Sequence, residues 1–106
     1  MSRTVRIEPE VDRDLREIAG FISHRVSPTS AARWLTRILK TIRSLADNAA
    51  VWPEADESAR LGRNIRCRLF GRGRHVYRVL FALDDETVKI LRVRHASQDW
   101  LSEGEI

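Results

Sequence analysis

The sequence predicts an α+β fold in two layers. An N-terminal strand leads into an antiparallel helix hairpin, which packs on an antiparallel sheet, giving the order β-α-α-β-β-β. Three observations carry this. From 64 to 95 apolar and polar residues alternate, and Gly71-Arg72-Gly73 and Asp84-Asp85-Glu86 interrupt the alternation as turns. Residues 10–26 and 28–48 instead repeat their apolar positions every three or four residues, the period of a helix buried on one side. Only a very short link separates those two stretches, so the helices fold back on each other. A chain of 106 residues fits one domain spanning 1–106, large enough to bury a core without a disulfide or metal staple.

Thr4 to Glu8 alternates, with Val5 and Ile7 on one side, and reads as a short half-buried strand. Pro9 ends it and suits the first turn of a helix. Val11, Leu15, Ile18, Ile22 and Val26 then form one helical stripe, and early acids such as Asp12 favour the positive helix N-terminus. Ser27 offers a cap and Pro28 a first helical position for the second helix, whose stripe is Ala31, Leu35, Ile38, Ile42, Leu45 and Ala49. Residues 49–63 hold Pro53 and Gly62 with few apolar positions and read as a surface loop, with Trp52 anchoring it to the core.

The net charge of +4 hides a strong asymmetry. Glu8, Glu10, Asp12, Asp14 and Glu17 crowd the start, whereas no acid stands between Glu57 and Asp84. Seven arginines fall in that gap, and only Lys40 and Lys89 among all the cations are lysines. Arginine grips phosphate and carboxylate in a planar, bidentate way, so a nucleic acid or an acidic protein is the partner this bias suits. Cys67 is the single cysteine and cannot form an internal disulfide, which points to a reducing, cytoplasmic setting. No stretch approaches the roughly 20 apolar residues of a membrane span. His24, His75, His95 and Cys67 lie too far apart for a metal site, and no cofactor is implied.

Register decides where the arginines point, because a slip of one residue moves every side chain across the sheet. With turns of even length, Arg78 falls among apolar residues, away from Arg66, Arg68, Arg92 and Arg94. With odd turns, a loop from Gly71 to His75 and another from Asp84 to Glu86, all five arginines share one face. Burying an unpaired guanidinium costs several kcal/mol, roughly, so the odd register is expected. Arg66, Arg68, Arg78, Arg92 and Arg94 then make an anion- or target-binding face opposite the helices. At its other end Leu80, Ala82, Val88 and Ile90 form an apolar patch that the C-terminal tail or a partner should cover. The competing expectation is that acids of the chain itself, such as Asp99, Glu103, Glu105 or the early ones, neutralise the arginines.

The layout resembles the RelE/ParE family of bacterial type II toxins. The residues that carry the likeness are Leu15-Arg16-Glu17-Ile18-Ala19 with Phe21-Ile22, then Ala31-Ala32-Arg33, Tyr77-Arg78-Val79-Leu80-Phe81, and Val93-Arg94-His95 with Asp99. The resemblance covers nearly the whole chain. It implies that the first strand lies beside the last and that a cognate antitoxin wraps the protein. A toxin-antitoxin role of this kind brings growth inhibition and plasmid stabilization.

RelE-like members cut messenger RNA on the ribosome, and ParE-like members poison DNA gyrase. Arg66, Arg68 and Arg78 match basic residues of the nuclease site, and His95 sits where some relatives carry a catalytic histidine or lysine. Nuclease members usually add a tyrosine in the C-terminal tail. This tail has Trp100 instead, and the single tyrosine, Tyr77, is expected in the core. The resemblance therefore implies the ParE side, a gyrase-type inhibitor, ahead of a ribosome-dependent endoribonuclease using His95. A non-toxic nucleic-acid- or protein-binding domain of the same fold ranks third. Antitoxin contacts are expected at Leu80, Ala82, Val88 and Ile90.

Overall fold

The computed structural model describes residues 2–98 and residue 105. Strand β1 (Thr4–Ile7) leads into helix α1 (Pro9–Arg25), and α2 (Pro28–Asn48) returns alongside it. A 3-10 turn at Ala49–Val51 and a short helix α3 (Asp56–Leu61) follow. The meander is β2 (Ile65–Arg72), β3 (His75–Leu83) and β4 (Thr87–His95). The sheet order is β1-β4-β3-β2, with β1 parallel to β4 and the rest antiparallel. The first strand thus lies beside the last, and the α+β fold and helix hairpin are as the sequence predicts.

The helix ends follow local chemistry. Pro9 and Pro28 open their helices, where a missing N–H costs nothing. Ser27 is in extended conformation, and its hydroxyl accepts the Ser30 amide at 3.0 Å. The hairpin buries Val11, Leu15, Trp34, Ile38, Ile42 and Leu45 against Tyr77, Val79, Phe81, Val88, Ile90 and Val93. Each large side chain so buried contributes about 1.5–3 kcal/mol.

The stretch expected to be a surface loop is instead structured. Helix α3 crosses to the opposite side of the sheet, where Ala55 and Leu61 pack with Ile65, Leu80, Leu91, Cys67 and Ala82 in a second, smaller core. Gly62 ends α3 in the left-handed region (φ 65°). The Ser58 hydroxyl donates to the Arg63 carbonyl and accepts the Ile65 amide, so the chain re-enters the sheet in a fixed way. Six residues, whose buried members Glu57 and Ser58 are polar, give too weak an apolar period to announce this helix. Trp52 does anchor the segment, packing against the main core.

Two features overturn the expected register. The β2–β3 loop holds only Gly73 and Arg74, because Arg72 pairs with His75. Gly73 has φ 63° at the first loop position, as a tight hairpin of the II′ type requires. That even loop places Arg68 opposite Val79 and Leu69 opposite Arg78, so Arg66 and Arg68 lie on the other face from Arg78. In addition, a bulge at Leu80/Phe81 makes Leu91 an extra residue: Leu80 pairs with Arg92, but Phe81 pairs with Ile90. Before the bulge Val88 and Ile90 face the hairpin, and after it Val93 does.

Candidate functional site

The five arginines do not share a face. Arg78, Arg92 and Arg94 lie on the side away from the hairpin, where Arg78 is paired across the strands with Arg94 and Leu80 with Arg92. Arg66 and Arg68 lie on the hairpin side, at the β2 edge. Burying Arg78 is tolerated because its guanidinium is paired. Glu57 of α3, itself fully buried, meets its guanidinium with both oxygens, one at 2.9 Å. These hydrogen bonds hold the Arg78 pKa above its ordinary value despite burial.

The other two arginines are also held by acids of the chain. Arg92 donates from Nε and Nη2 to the two oxygens of Asp14, both at 2.8 Å, and Asp14 accepts the Val93 amide as well. That pair raises the Arg92 pKa. Arg94 donates to Glu105 at 2.7 Å, and Arg92 reaches the Glu105 carbonyl at 3.2 Å. Neutralisation within the chain, the competing expectation, holds for Arg92 through the early acid Asp14 and for Arg94 through Glu105, while Arg78 is met by Glu57, which was not among the acids expected. Asp99 and Glu103, also named for that role, and Trp100 lie outside the described residues.

On the hairpin side Arg66 donates to the Trp52 carbonyl at 2.6 Å, and the Arg68 guanidinium lies 4.3 Å from the centre of the Trp52 ring. Burial lowers the Arg68 pKa. These two residues clamp the segment after α2 onto the sheet edge. Cys67, beside the Arg78–Glu57 pair, has its thiol pKa pushed up by burial.

His95 ends β4. Its Nε2 lies 2.8 Å from the Arg74 carbonyl, which only accepts, so Nε2 carries the proton. Nδ1 then accepts from Ser97, whose amide is at 3.1 Å and hydroxyl at 2.7 Å. The ring packs edge to face on Tyr77 at 5.3 Å. Tyr77 is buried, as expected, and burial raises its pKa. This histidine is placed as a clasp between the end of β4 and the β2–β3 turn.

The apolar patch also divides. Leu80 and Ala82 belong to the small core under α3, and Val88 and Ile90 to the main core under the hairpin. Leu80, Val88 and Ile90 are fully buried, so they present no surface to an antitoxin. The register set at the β3–β4 turn, where Leu83 pairs with Val88 and Phe81 with Ile90, puts the two pairs on opposite faces, and the α3 segment packs on Leu80.

Sequence reasoning missed Asp14 and Glu57. A signal existed for Asp14: it stands three residues after Val11 and beside Leu15, on the helical stripe itself. Nothing local marks Glu57, whose role depends on where α3 docks.

The fold is like that of solved structures. A chain of the structure titled "Chromosomal ParDE TA system from P. aeruginosa" superposes with a TM-score of 0.67 at 17% identity, over 89% of this chain and 96% of that one. No curated protein matches the sequence. The model of the family described as ParE toxin of type II toxin-antitoxin system, parDE, matches residues 5–100. That match takes in β1, both hairpin helices and the whole meander, and with it the chain belongs to the ParE toxin family of type II toxin-antitoxin systems.

Proposed function

We propose that this toxin stops growth by binding and inhibiting DNA gyrase in the cytoplasm, and that it does not cut RNA. Membership of a toxin-antitoxin family brings a cognate antitoxin as its partner. The observation that carries the choice of target is the commitment of the groups a nuclease would need. RNA cleavage requires a free base or acid and cations open to the phosphate. Here both ring nitrogens of His95 are engaged, and Arg78, Arg92 and Arg94 are each bonded to a carboxylate. Inhibition by binding needs none of them free. Among the described residues no helix is long and apolar enough to cross a membrane, in keeping with a target inside the cell.

Induced expression of the chain alone should arrest growth and accumulate linearised plasmid, with transcript ends unchanged. Co-expression of the adjoining reading frame should restore growth. His95→Ala should be as toxic as the parent. Codon-phased transcript cuts that disappear in His95→Ala would overturn the gyrase reading in favour of a ribonuclease.

A further inference from the structure

No acid stands between Pro28 and Ala46, and none between Ser58 and Leu83. The second stretch holds the β2–β3 turn, where every residue from Gly71 to His75 is exposed. Arg72 and Arg74 are among them. Three contacts fix the backbone of this turn. Arg72 pairs with His75 across the hairpin, the Arg74 carbonyl accepts from Nε2 of His95 at 2.8 Å, and the Val76 carbonyl accepts the Ala96 amide at 2.8 Å. Both guanidinium groups are thus carried on a rigid base.

The first stretch supplies a second row. Arg33, Arg37 and Lys40 are exposed, and their spacing of four and three residues puts them on one side of α2, away from the core. They spread roughly 10 Å along the helix, the axial length of about three phosphates on one DNA strand. Arg37 borders the same hollow as Arg72 and His75, so the helix row and the turn form one surface. Among the described residues, none of these five cations has an ion pair. That sets them apart from Arg78, Arg92 and Arg94, for which the fold supplies carboxylates.

We infer that Arg72 and Arg74 of the turn, with Arg33, Arg37 and Lys40 of α2, grip the phosphodiester backbone of duplex DNA. The inference rests on the gyrase reading, which sets the toxin beside the DNA that gyrase holds, and it adds a second contact to that complex. Open cations attract a polyanion, and four of the five are arginines, whose planar fork matches a phosphate. Gly71 and Gly73 carry no side chain, so the backbone of the turn can come close to the duplex. An acidic protein fits less well. A protein partner gains most from apolar anchors, and neither residues 71–75 nor the row on α2 offers a large exposed one. Backbone contacts of this kind hold a duplex without reading its sequence.

Fluorescence anisotropy of a short labelled DNA duplex with the purified chain, at several salt concentrations, tests this. Affinity should fall steeply with salt. Arg72→Gln with Arg74→Gln should weaken binding about tenfold or more at low salt and reduce the logarithmic salt slope by about two. Arg33→Gln with Arg37→Gln should do the same. Arg13→Gln with Arg16→Gln, exposed on α1, removes the same net charge and should stay within about twofold of the parent. Circular dichroism checks that each variant is folded. With purified gyrase and plasmid, the turn variant should yield less linearised DNA than the parent. A parent that does not bind the duplex, or turn and α2 variants that lose no more than the α1 variant, overturns the inference and leaves the gyrase reading intact. So does poly-glutamate that binds as tightly as the duplex and is lost in the same variants, which would assign the surface to an acidic protein. A turn variant that loses the duplex but linearises plasmid like the parent also overturns the contact proposed in the gyrase complex. A parent that binds the duplex yet linearises no plasmid overturns the gyrase reading and keeps the duplex surface.

Discussion

Arg78 is buried beneath α3, with Glu57 bonded to both ends of its guanidinium. Taking two charges out of water costs several kcal/mol per ion, roughly, and their mutual attraction offsets much of it only while both are present. Glu57→Ala should therefore lower the unfolding free energy by about 3–5 kcal/mol, because it strands the cation. The double variant Glu57→Leu/Arg78→Met should lose much less, since no charge is left behind. Urea unfolding of the three proteins measures both effects. A double variant as unstable as Glu57→Ala would mean that the pair itself, and not an uncompensated charge, holds α3 in place.

At the scale of elements, the turns set what each strand exposes. The β3–β4 turn is held by Asp84, whose Oδ1 accepts the amides of Glu86 at 2.8 Å and Thr87 at 2.7 Å. Those bonds favour the carboxylate and lower the Asp84 pKa below its ordinary 3.8. A lowered folded pKa means the stability from this group is complete above the ordinary value and is lost as pH falls through the lower folded one. Asp84→Asn does not titrate. The urea midpoint of the parent should exceed that of Asp84→Asn at neutral pH, and the gap should narrow as pH drops below about 3.8. A gap that stays constant into acid would remove the turn carboxylate from the account. The β2–β3 turn acts sterically instead: Gly71, at φ 99°, sits so close to the His75 carbonyl that a Cβ would collide with it. This glycine lets β2 continue to Arg72 and makes the loop two residues rather than five.

At the scale of the whole molecule, the layers are joined by charge as well as by apolar packing. Asp14 of α1 reaches β4 through Arg92 and the Val93 amide, 78 and 79 residues away in sequence. Asp14→Ala should cost about 2–3 kcal/mol, less than Glu57→Ala, because Arg92 is less buried and keeps its bond to the Glu105 carbonyl. Helical circular dichroism and tryptophan fluorescence should still fall in one transition; two separate transitions would show that hairpin and sheet are not one cooperative unit. The sequence by itself determined the α+β layout, both hairpin helices with their Pro9 and Ser27-Pro28 starts, the meander, and the inward Tyr77. These follow from local periodicity and capping, which neighbours in the chain decide. It also held an unread sign of the bulge, since apolar residues change phase between Ile90 and Leu91. Only the tertiary structure decided that α3 crosses the sheet to neutralise Arg78 and that Asp14 takes Arg92. Long-range ion pairs and a one-residue register depend on which segments meet in space, and nothing in local pattern encodes that meeting.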